Sequence, residues 1–502
     1  MMRAPNILIL MVDQLSGTFF PDGPAPWLHC PNIRALADRS VRFANAYTAS
    51  PLCAPSRASF MTGMLPSKNR VYDNAAEFAC EIPTFAHRLR RAGYHTCLAG
   101  KMHFVGAEQL HGFEERLTPD IYPVDFGWTP DYRNPGERVD GWYHNLGSVG
   151  QAGVAQITTQ LEYDDEVSWK AQRKLYDLAR DRDASPWCLT VSFTHPHDPY
   201  VARPEFWDLY ADGQYPMPQV KAIDYQDQDA HSKRLLDAVD WRSYTVDEEM
   251  VARARRAYFA NISYLDENIG TILRILRDTG QEANIVFVAD HGDMLGERGL
   301  WFKMSFYEGS ARVPLMIAAS DFSPRCISTP VSMVDIPLTL SDLAGISKDE
   351  SVSGVVGESL LPLIEGGERT TPVLMEYAAE GSYAPMVGIR KDRWKYNRCS
   401  LDPDQLFDLE SDPCEMDNLA KGDSPPPELA HFQAMAKEYW DLDRFDREVR
   451  ESQRRRHIVY EALRKGKYHP WIYRSSDDGS GRFVDSHLDL NALEEERRFP
   501  RA

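Results

Sequence analysis

The sequence predicts an α/β fold, and three observations carry that prediction. Short apolar runs end abruptly in polar residues, helical patterns fill the intervals, and the polar ends collect residue types that chemistry uses. Residues 6–12 run into Asp13, residues 94–99 into Gly100, Lys101 and His103, residues 188–193 stop near His195, and residues 284–289 stop at Asp290 and His291. Between them, residues 31–40 read as a helix capped by Asn32, and 251–278 as a longer amphipathic helix. Ligands of open α/β sheets bind outside the carboxyl ends of the strands, so these distant clusters are expected to converge on one site.

Past about residue 320 the pattern turns to shorter strand-like pieces at 386–390 and 394–396. The expected division is an α/β catalytic unit over 1–320, a smaller α+β unit over 321–425, and a helix with an extended tail over 426–502. Residues 421–427 (KGDSPPP) read as a linker or turn, followed by a charged helical stretch to about Lys465 and an irregular aromatic tail. No internal repeat is visible.

Composition narrows the function. With 502 residues, 43% hydrophobic and 26% charged, the chain has material for a large core and for roughly two or three structural units. A net charge of -19 and a pI near 5.2, with no compensating basic block, argue against a nucleic-acid partner. An anionic substrate would need a local positive site. The apolar run at 7–12 is about a third of a membrane span and runs into Asp13, so neither a membrane anchor nor a signal peptide is expected. The eight cysteines, at 30, 53, 80, 97, 188, 326, 399 and 414, form no C-x-x-C pair and suit thiols in a reducing compartment, which makes cytoplasm the expected location.

The strongest local signal is residues 50–63, SPLCAPSRASFMTG, where Cys53, Pro55, Ser56 and Arg57 form C-x-P-S-R and the match extends to Thr62 and Gly63. This segment resembles the signature of the type I sulfatases. A second signature lies downstream, as Gly93, Tyr94, Thr96, Ala99, Gly100, Lys101 and His103 in GYHTCLAGKMH. The strings VYDNAAE, DFGWTPDYR, WYHNLGS, SFTHPHDPY, DHGDMLGERGLWFK and MEYAAEGSYAP resemble those of the choline sulfatases. The resemblance implies an alkaline-phosphatase/sulfatase-like fold: a large, mostly parallel central sheet flanked by helices, a smaller C-terminal subdomain and an extended tail. It also implies that Cys53 is oxidised to formylglycine by a formylglycine-generating enzyme.

The chemistry agrees with that reading. Cleaving a sulfate monoester needs a nucleophile at sulfur, neutralisation of the peripheral oxygens, and help for the leaving alkoxide. Hydrated formylglycine is a geminal diol: one hydroxyl attacks, and the other, deprotonated, expels sulfate by reforming the aldehyde. Asp13 and Asp290 are strand-end carboxylates suited to a hard divalent cation, with His291, Gln14 and the Cys53 position as further ligands. Many sulfatases show paired aspartates where this chain has Asp13-Gln14 and an Asn where it has His291, which leaves calcium, the favoured metal, beside magnesium and manganese. Arg57, one helical turn after Cys53, is placed to hold the deprotonated diol, and Pro55 suits the first turn of that helix. By resemblance, Lys101, His103, His195 and Lys303 clamp the sulfate oxygens, with His195, or else Lys303, protonating the leaving oxygen. Asp293, His197 and Asp198 read as structural.

A choline leaving group offers a quaternary ammonium with no hydrogen-bond donor, so aromatic faces and carboxylates must read it. Asn74, Trp128, His144, Asn145 and Glu380 lie in the choline-sulfatase-like strings, with Glu380 as the expected carboxylate. In that subfamily the tail reaches a neighbouring subunit, which implies a homo-oligomer, dimer or tetramer. In DSHLDLNALEEERRFP the position expected to carry a carboxylate reads Asn491, flanked by Asp489 and Glu494, which puts choline preference in question. The alternatives are a broader alkyl or aryl sulfatase or a phosphonate or phosphate ester hydrolase, a non-catalytic binder of a sulfated osmolyte, and an alkaline-phosphatase-type enzyme with an unmodified Ser or Thr, which Cys53 within C-x-P-S-R disfavours.

Overall fold

Strand β1 (Asn6–Val12) shows why the sheet forms where it does: Ile7 to Val12 are all fully buried, as a strand covered by helices on both faces must be. The computed structural model describes residues 4–136, 138–139, 144–181, 185–346, 352–422, 424–474, 489, 494–495 and 498–499. β1 is a central strand of an eight-stranded sheet that also contains β2 (Val41–Phe43), β3 (His95–Gly100), β4 (Glu115–Arg116), β5 (Trp187–Ser192), β6 (Ala283–Ala289), β7 (Leu315–Ala318) and β8 (Arg325–Ile327). The spatial order is β8-β2-β7-β6-β1-β5-β3-β4. β6, β1, β5, β3 and β4 are mutually parallel, while β7 runs antiparallel to both of its neighbours. The α/β, mostly parallel sheet expected from the sequence is the one observed.

Register brings the strand ends together. Met11 and Gly100 both pair with Ser192, and Val12 pairs with Ala289, so Asp13, Lys101 and Asp290 leave the sheet side by side. Gly100 closes β3 at φ +107, and a Cβ there would meet the Ser192 carbonyl oxygen at 1.9 Å. Only glycine lets β3 end against β5 this way.

The helices cover the sheet. α1 (Pro31–Ala37) and α3 (Thr159–Arg180) pack against α5 (Glu248–Asp278), whose start is capped by Asp247 accepting from Met250 N. Asn32 does not cap α1. The N-cap position is Cys30, and the backbone N–H groups of Asn32 and Ile33 donate to Asp266 of α5, as does the Asn32 amide at 2.8 Å. A carboxylate from a neighbouring helix has taken the capping role, which local sequence cannot reveal.

The large sheet also continues past residue 320, because β8 pairs with β2. The second, antiparallel sheet starts at β9 (Val373–Tyr377) and continues through β10 (Met386–Lys391), β11 (Trp394–Cys399) and β12 (Gln405–Asp408). The charged stretch after the linker is two helices. α6 (Glu428–Tyr439) ends at the extended Trp440, and α7 (Leu442–Leu463) starts afresh from Asp441, which accepts from Arg444 N. No helix among the described residues is long and apolar enough to cross a membrane.

His111 shows what burial does to an imidazole. It is 1% exposed, stacks on Phe78 with centroids 4.1 Å apart, and has no hydrogen-bond partner on either ring nitrogen among the described residues. Burial lowers its pKa from 6.5 to about 4. The unfolded chain therefore binds a proton that the folded one refuses, and stability falls as pH drops through that window. His111→Phe should remove on the order of 3 kcal/mol of this acid loss, read as a smaller difference between urea unfolding energies at neutral pH and near pH 4 for the variant than for the parent.

Candidate active site

The site is built where four strands end. α2 (Cys53–Thr62) begins at Cys53, every residue of it is buried, and its first turn is held by Ala54 N donating to Asn74 Oδ1 at 2.9 Å and by Ser56 Oγ donating to the Asp290 carbonyl at 2.6 Å. That anchors the helix start, and with it the Cys53 side chain, over the sheet edge. Arg57, fully buried, reaches into the cluster. Its Nε donates to Asp290 Oδ2 at 2.8 Å, its Nη1 to the Lys101 carbonyl at 2.5 Å and to Ser192 Oγ at 2.8 Å, and its Nη2 to Asp13 Oδ2 at 3.3 Å. One guanidinium ties the ends of β6, β3, β5 and β1. Of its five N–H groups, four are engaged by these oxygens.

Around Cys53, the sequence-derived residues come together. His291 Nε2 lies 3.3 Å from Cys53 Sγ, 3.6 Å from Asp13 Oδ1 and 3.7 Å from Asp290 Oδ2. Cys53 Sγ is 3.9 Å from Asp13 Oδ1, and Lys101 Nζ donates to Asp13 Oδ2. Asp13, Cys53, Asp290 and His291 offer ligand atoms all within 4.8 Å of one another. Burial would push the Cys53 thiol up, but Lys101, Lys303 and His291 hold it well below its ordinary value. Asp13 likewise sits at about 2: burial and the Cys53 charge raise it, and Lys101, His197 and Arg57 outweigh them. Two carboxylates, one imidazole and a polarised side chain at position 53 form a donor set that fits a divalent cation.

Gln14, at φ +63, sits beside this group. Its backbone N–H donates to Asp290 Oδ1 at 3.0 Å. Its amide oxygen accepts from Lys303 Nζ at 2.5 Å, and its amide nitrogen donates to Asp293 at 2.7 Å and Asp198 at 3.2 Å. Lys303 Nζ also lies 2.7 Å from His197 Nε2. His144 joins through Asp198 Oδ1 at 3.3 Å. Burial and the Lys303 charge press the His144 pKa down to about 4, so it is neutral at neutral pH. Asp293 and Asp198, read from sequence as structural, hold Gln14 and through it Lys303. Asn145 uses its amide oxygen to accept from Gly147 N at 2.9 Å, in the turn after His144.

Several buried polar groups near the site lack a hydrogen-bond partner, although His103 lies close enough to Cys53 to help hold its thiol low. Among the described residues, both ring nitrogens of His103, Nε2 of His195 and both carboxylate oxygens of Glu380 are buried without a hydrogen-bond partner. His195 Nδ1 is taken by Asp164 Oδ2 at 2.7 Å, which orients the ring and leaves Nε2 free. The His103 ring lies 5.7 Å from that of Tyr122 and 6.1 Å from that of Trp128, and Lys101 Nζ is 4.3 Å from the Tyr122 ring centre. Glu380 is raised well above the usual carboxylate range by burial and by the neighbouring Asp73, and it feels the Cys53 charge too. Asp73 is itself paired with Arg456 of α7 by two bonds of 2.6 and 2.7 Å.

Sequence reasoning missed Asp164, Tyr122, Asp73 and Arg456. Asp73 was within reach, since it precedes Asn74 in VYDNAAE; nothing local marks Arg456 among the many arginines of its helix. Asn491 lies outside the described residues.

Residues 5–346 match the family model described as Sulfatase, residues 296–438 that of N-sulphoglucosamine sulphohydrolase, C-terminal, and residues 447–499 that of Choline sulfatase enzyme C terminal. The chain is 61% identical to the choline-sulfatase of Rhizobium meliloti over 99% of both chains. It is 31% identical to an arylsulfatase of Clostridium perfringens, over 83% of this chain and 90% of that one. Among solved structures it resembles a phosphonate monoester hydrolase from Silicibacter pomeroyi, with a TM-score of 0.69 at 21% identity over 87% of this chain and 94% of that one, a likeness of fold.

The four-residue donor set makes a direct prediction. Asp290→Asn and His291→Ala should each weaken divalent-cation binding, measured by calorimetry, by at least about a hundredfold, the upper range for loss of a mere supporting residue; unchanged affinity would place the cation elsewhere.

Proposed function

The chain belongs to the sulfatase family, and we propose that within it the enzyme hydrolyses choline-O-sulfate to choline and sulfate. The observation that carries this reading is a buried site with a cationic end and, within its field, an unpartnered carboxyl that a bound cation would ionise. The charges of Lys101, Lys303 and His291 act on Cys53, while Glu380, close enough to feel the Cys53 charge, is a buried carboxyl with both oxygens unpartnered among the described residues. An anion at one end and a cation at the other is the charge pattern of choline-O-sulfate.

The residues then divide the work. Converted to formylglycine and hydrated, the Cys53 position supplies the geminal diol whose one hydroxyl attacks sulfur and whose other expels sulfate. Asp13, Asp290 and His291, with Cys53 and Gln14, would hold one divalent metal, calcium best suiting two carboxylates and an amide oxygen, and that metal would supply charge neutralisation and acidify the diol. Lys101, His103 and Lys303 bind the peripheral sulfate oxygens. His195, fixed through Nδ1 by Asp164, turns Nε2 to the leaving oxygen as its proton donor. Arg57 holds the carboxylates in place and offers its remaining N–H to the diol. At the other end Trp128 supplies an aromatic wall and Glu380 the counter-charge, with Asn74 and His144 alongside.

We extend the reading to a homo-oligomer, dimer or tetramer, joined by the tail, to maturation by a formylglycine-generating enzyme, and to the cytoplasm. The division of the chain, with the catalytic unit first, a smaller unit next and the helix and tail last, belongs to the same proposal.

The test compares turnover of choline-O-sulfate with that of its uncharged isostere, 3,3-dimethylbutyl sulfate, in metal-replete enzyme. A desolvated cation site should favour the charged substrate by at least ~2 kcal/mol, or roughly thirtyfold. Glu380→Gln should erase that preference while sparing the isostere. Equal rates in the parent enzyme would instead identify a generalist ester hydrolase of the same superfamily.

A further inference from the structure

Lys303 sits between two strained residues. Phe302 has φ +63 and Met304 has φ +74, conformations that cost bulky L-residues on the order of 1–3 kcal/mol each. Such a turn persists only where its surroundings over-determine it. Phe302 O accepts from Met294 N at 2.6 Å, Met304 N donates to the Pro51 carbonyl at 3.1 Å, and Met304 O accepts from His231 Nε2 at 2.7 Å. Pro51 belongs to the loop that leads to Cys53. His231 comes from elsewhere, the first turn of helix α4 (Ala230–Ala238). A second bond ties the same helix end to the same loop, from Tyr307 OH to Asp229 Oδ2 at 2.9 Å.

The other side of α4 holds Glu380. Arg234, one turn along from His231, donates from Nε to the Gly381 carbonyl at 3.2 Å and from Nη1 to Asp402 at 2.8 Å. Gly381 has φ +77 and lies so close to α4 that a Cβ there would meet Leu235 Cδ2 at 3.0 Å. The His231 ring lies 6.0 Å, edge to face, from that of Tyr377, whose hydroxyl donates to the Glu380 carbonyl at 2.7 Å. Burial and Arg234 keep His231 below its ordinary pKa, consistent with a neutral ring donating from Nε2.

We propose that helix α4 is a gauge: His231 and Arg234 fix the spacing between Lys303 and Glu380, and so select the length of the linker between sulfate and ammonium. Neither residue touches substrate; both are positioning residues. The inference rests on the reading that Lys303 binds the sulfate and Glu380 the cation.

The experiment compares kcat/KM for choline-O-sulfate and for its homologue with one more methylene, 3-(trimethylammonio)propyl sulfate, with 4-nitrophenyl sulfate as a substrate that has no cation. The parent should favour the shorter linker by roughly 10- to 200-fold, the range one methylene commands in a fitted site. His231→Leu should reduce that ratio by about tenfold or more, mainly through KM, with 4-nitrophenyl sulfate turnover largely kept, and His231→Gln, which keeps a donor at the same reach, should restore it. Arg234→Gln tests the other end of the helix and stands alone should His231→Leu fail to fold. A folded His231→Leu or Arg234→Gln enzyme with the parent's ratio overturns the gauge, as does a parent indifferent to linker length while still preferring choline-O-sulfate to the uncharged isostere. A parent without even that second preference overturns the underlying reading.

Discussion

The buried guanidinium of Arg57 is the interaction on which the rest depends. Asp13 and Asp290 bring two negative charges to adjacent strand ends with no exposure to solvent, an arrangement that is untenable without a cation between them. Arg57 supplies that cation from one turn into the helix that begins at Cys53, so the group that neutralises the carboxylates also anchors the helix that carries Cys53. Its bonds to the Lys101 carbonyl and Ser192 extend the tie to β3 and β5. Removing one partner of a buried pair of this kind costs about 3–5 kcal/mol, because the other charge is left uncompensated. Site and sheet edge are thus one structural unit, and the chemistry cannot be dissected from the fold at this point.

Charge also organises the site. Lysine and histidine side chains converge on Cys53 in an otherwise acidic protein, and the buried Glu380, without a hydrogen-bond partner among the described residues, lies close enough to feel the Cys53 charge. Asp73 would add a second negative charge there, but Arg456 of the C-terminal helix takes it in a two-bond pair. Glu380 is thereby left as a carboxyl with neither oxygen partnered among the described residues. The helix that carries Arg456, well away from Cys53 in sequence, makes that pairing.

How much could be read in advance followed from the range of the interactions. Strand ends are local events, and Asp13, Lys101, His195 and Asp290 were each placed by an apolar run stopping at a polar residue. The same holds for Cys53 and Arg57, four positions apart on one helix. What escaped depends on pairs distant in the chain: Asp73 with Arg456, separated by 383 positions, and Asp266 capping a helix 234 positions earlier, where Asn32 had looked like the cap. The edge strand at Arg325–Ile327 escaped for a related reason, being too short to signal that the large sheet runs beyond residue 320.

The central claim is that turnover belongs to an oxidised Cys53. Mass spectrometry of the peptide ending at Arg57, on preparations made with and without the formylglycine-generating enzyme, gives the fraction of Cys53 carrying an aldehyde in place of its thiol, to be set against kcat for the same preparation. The account predicts that kcat rises in proportion to the aldehyde fraction and extrapolates to none at zero conversion. Full turnover from protein whose Cys53 is entirely thiol would contradict it.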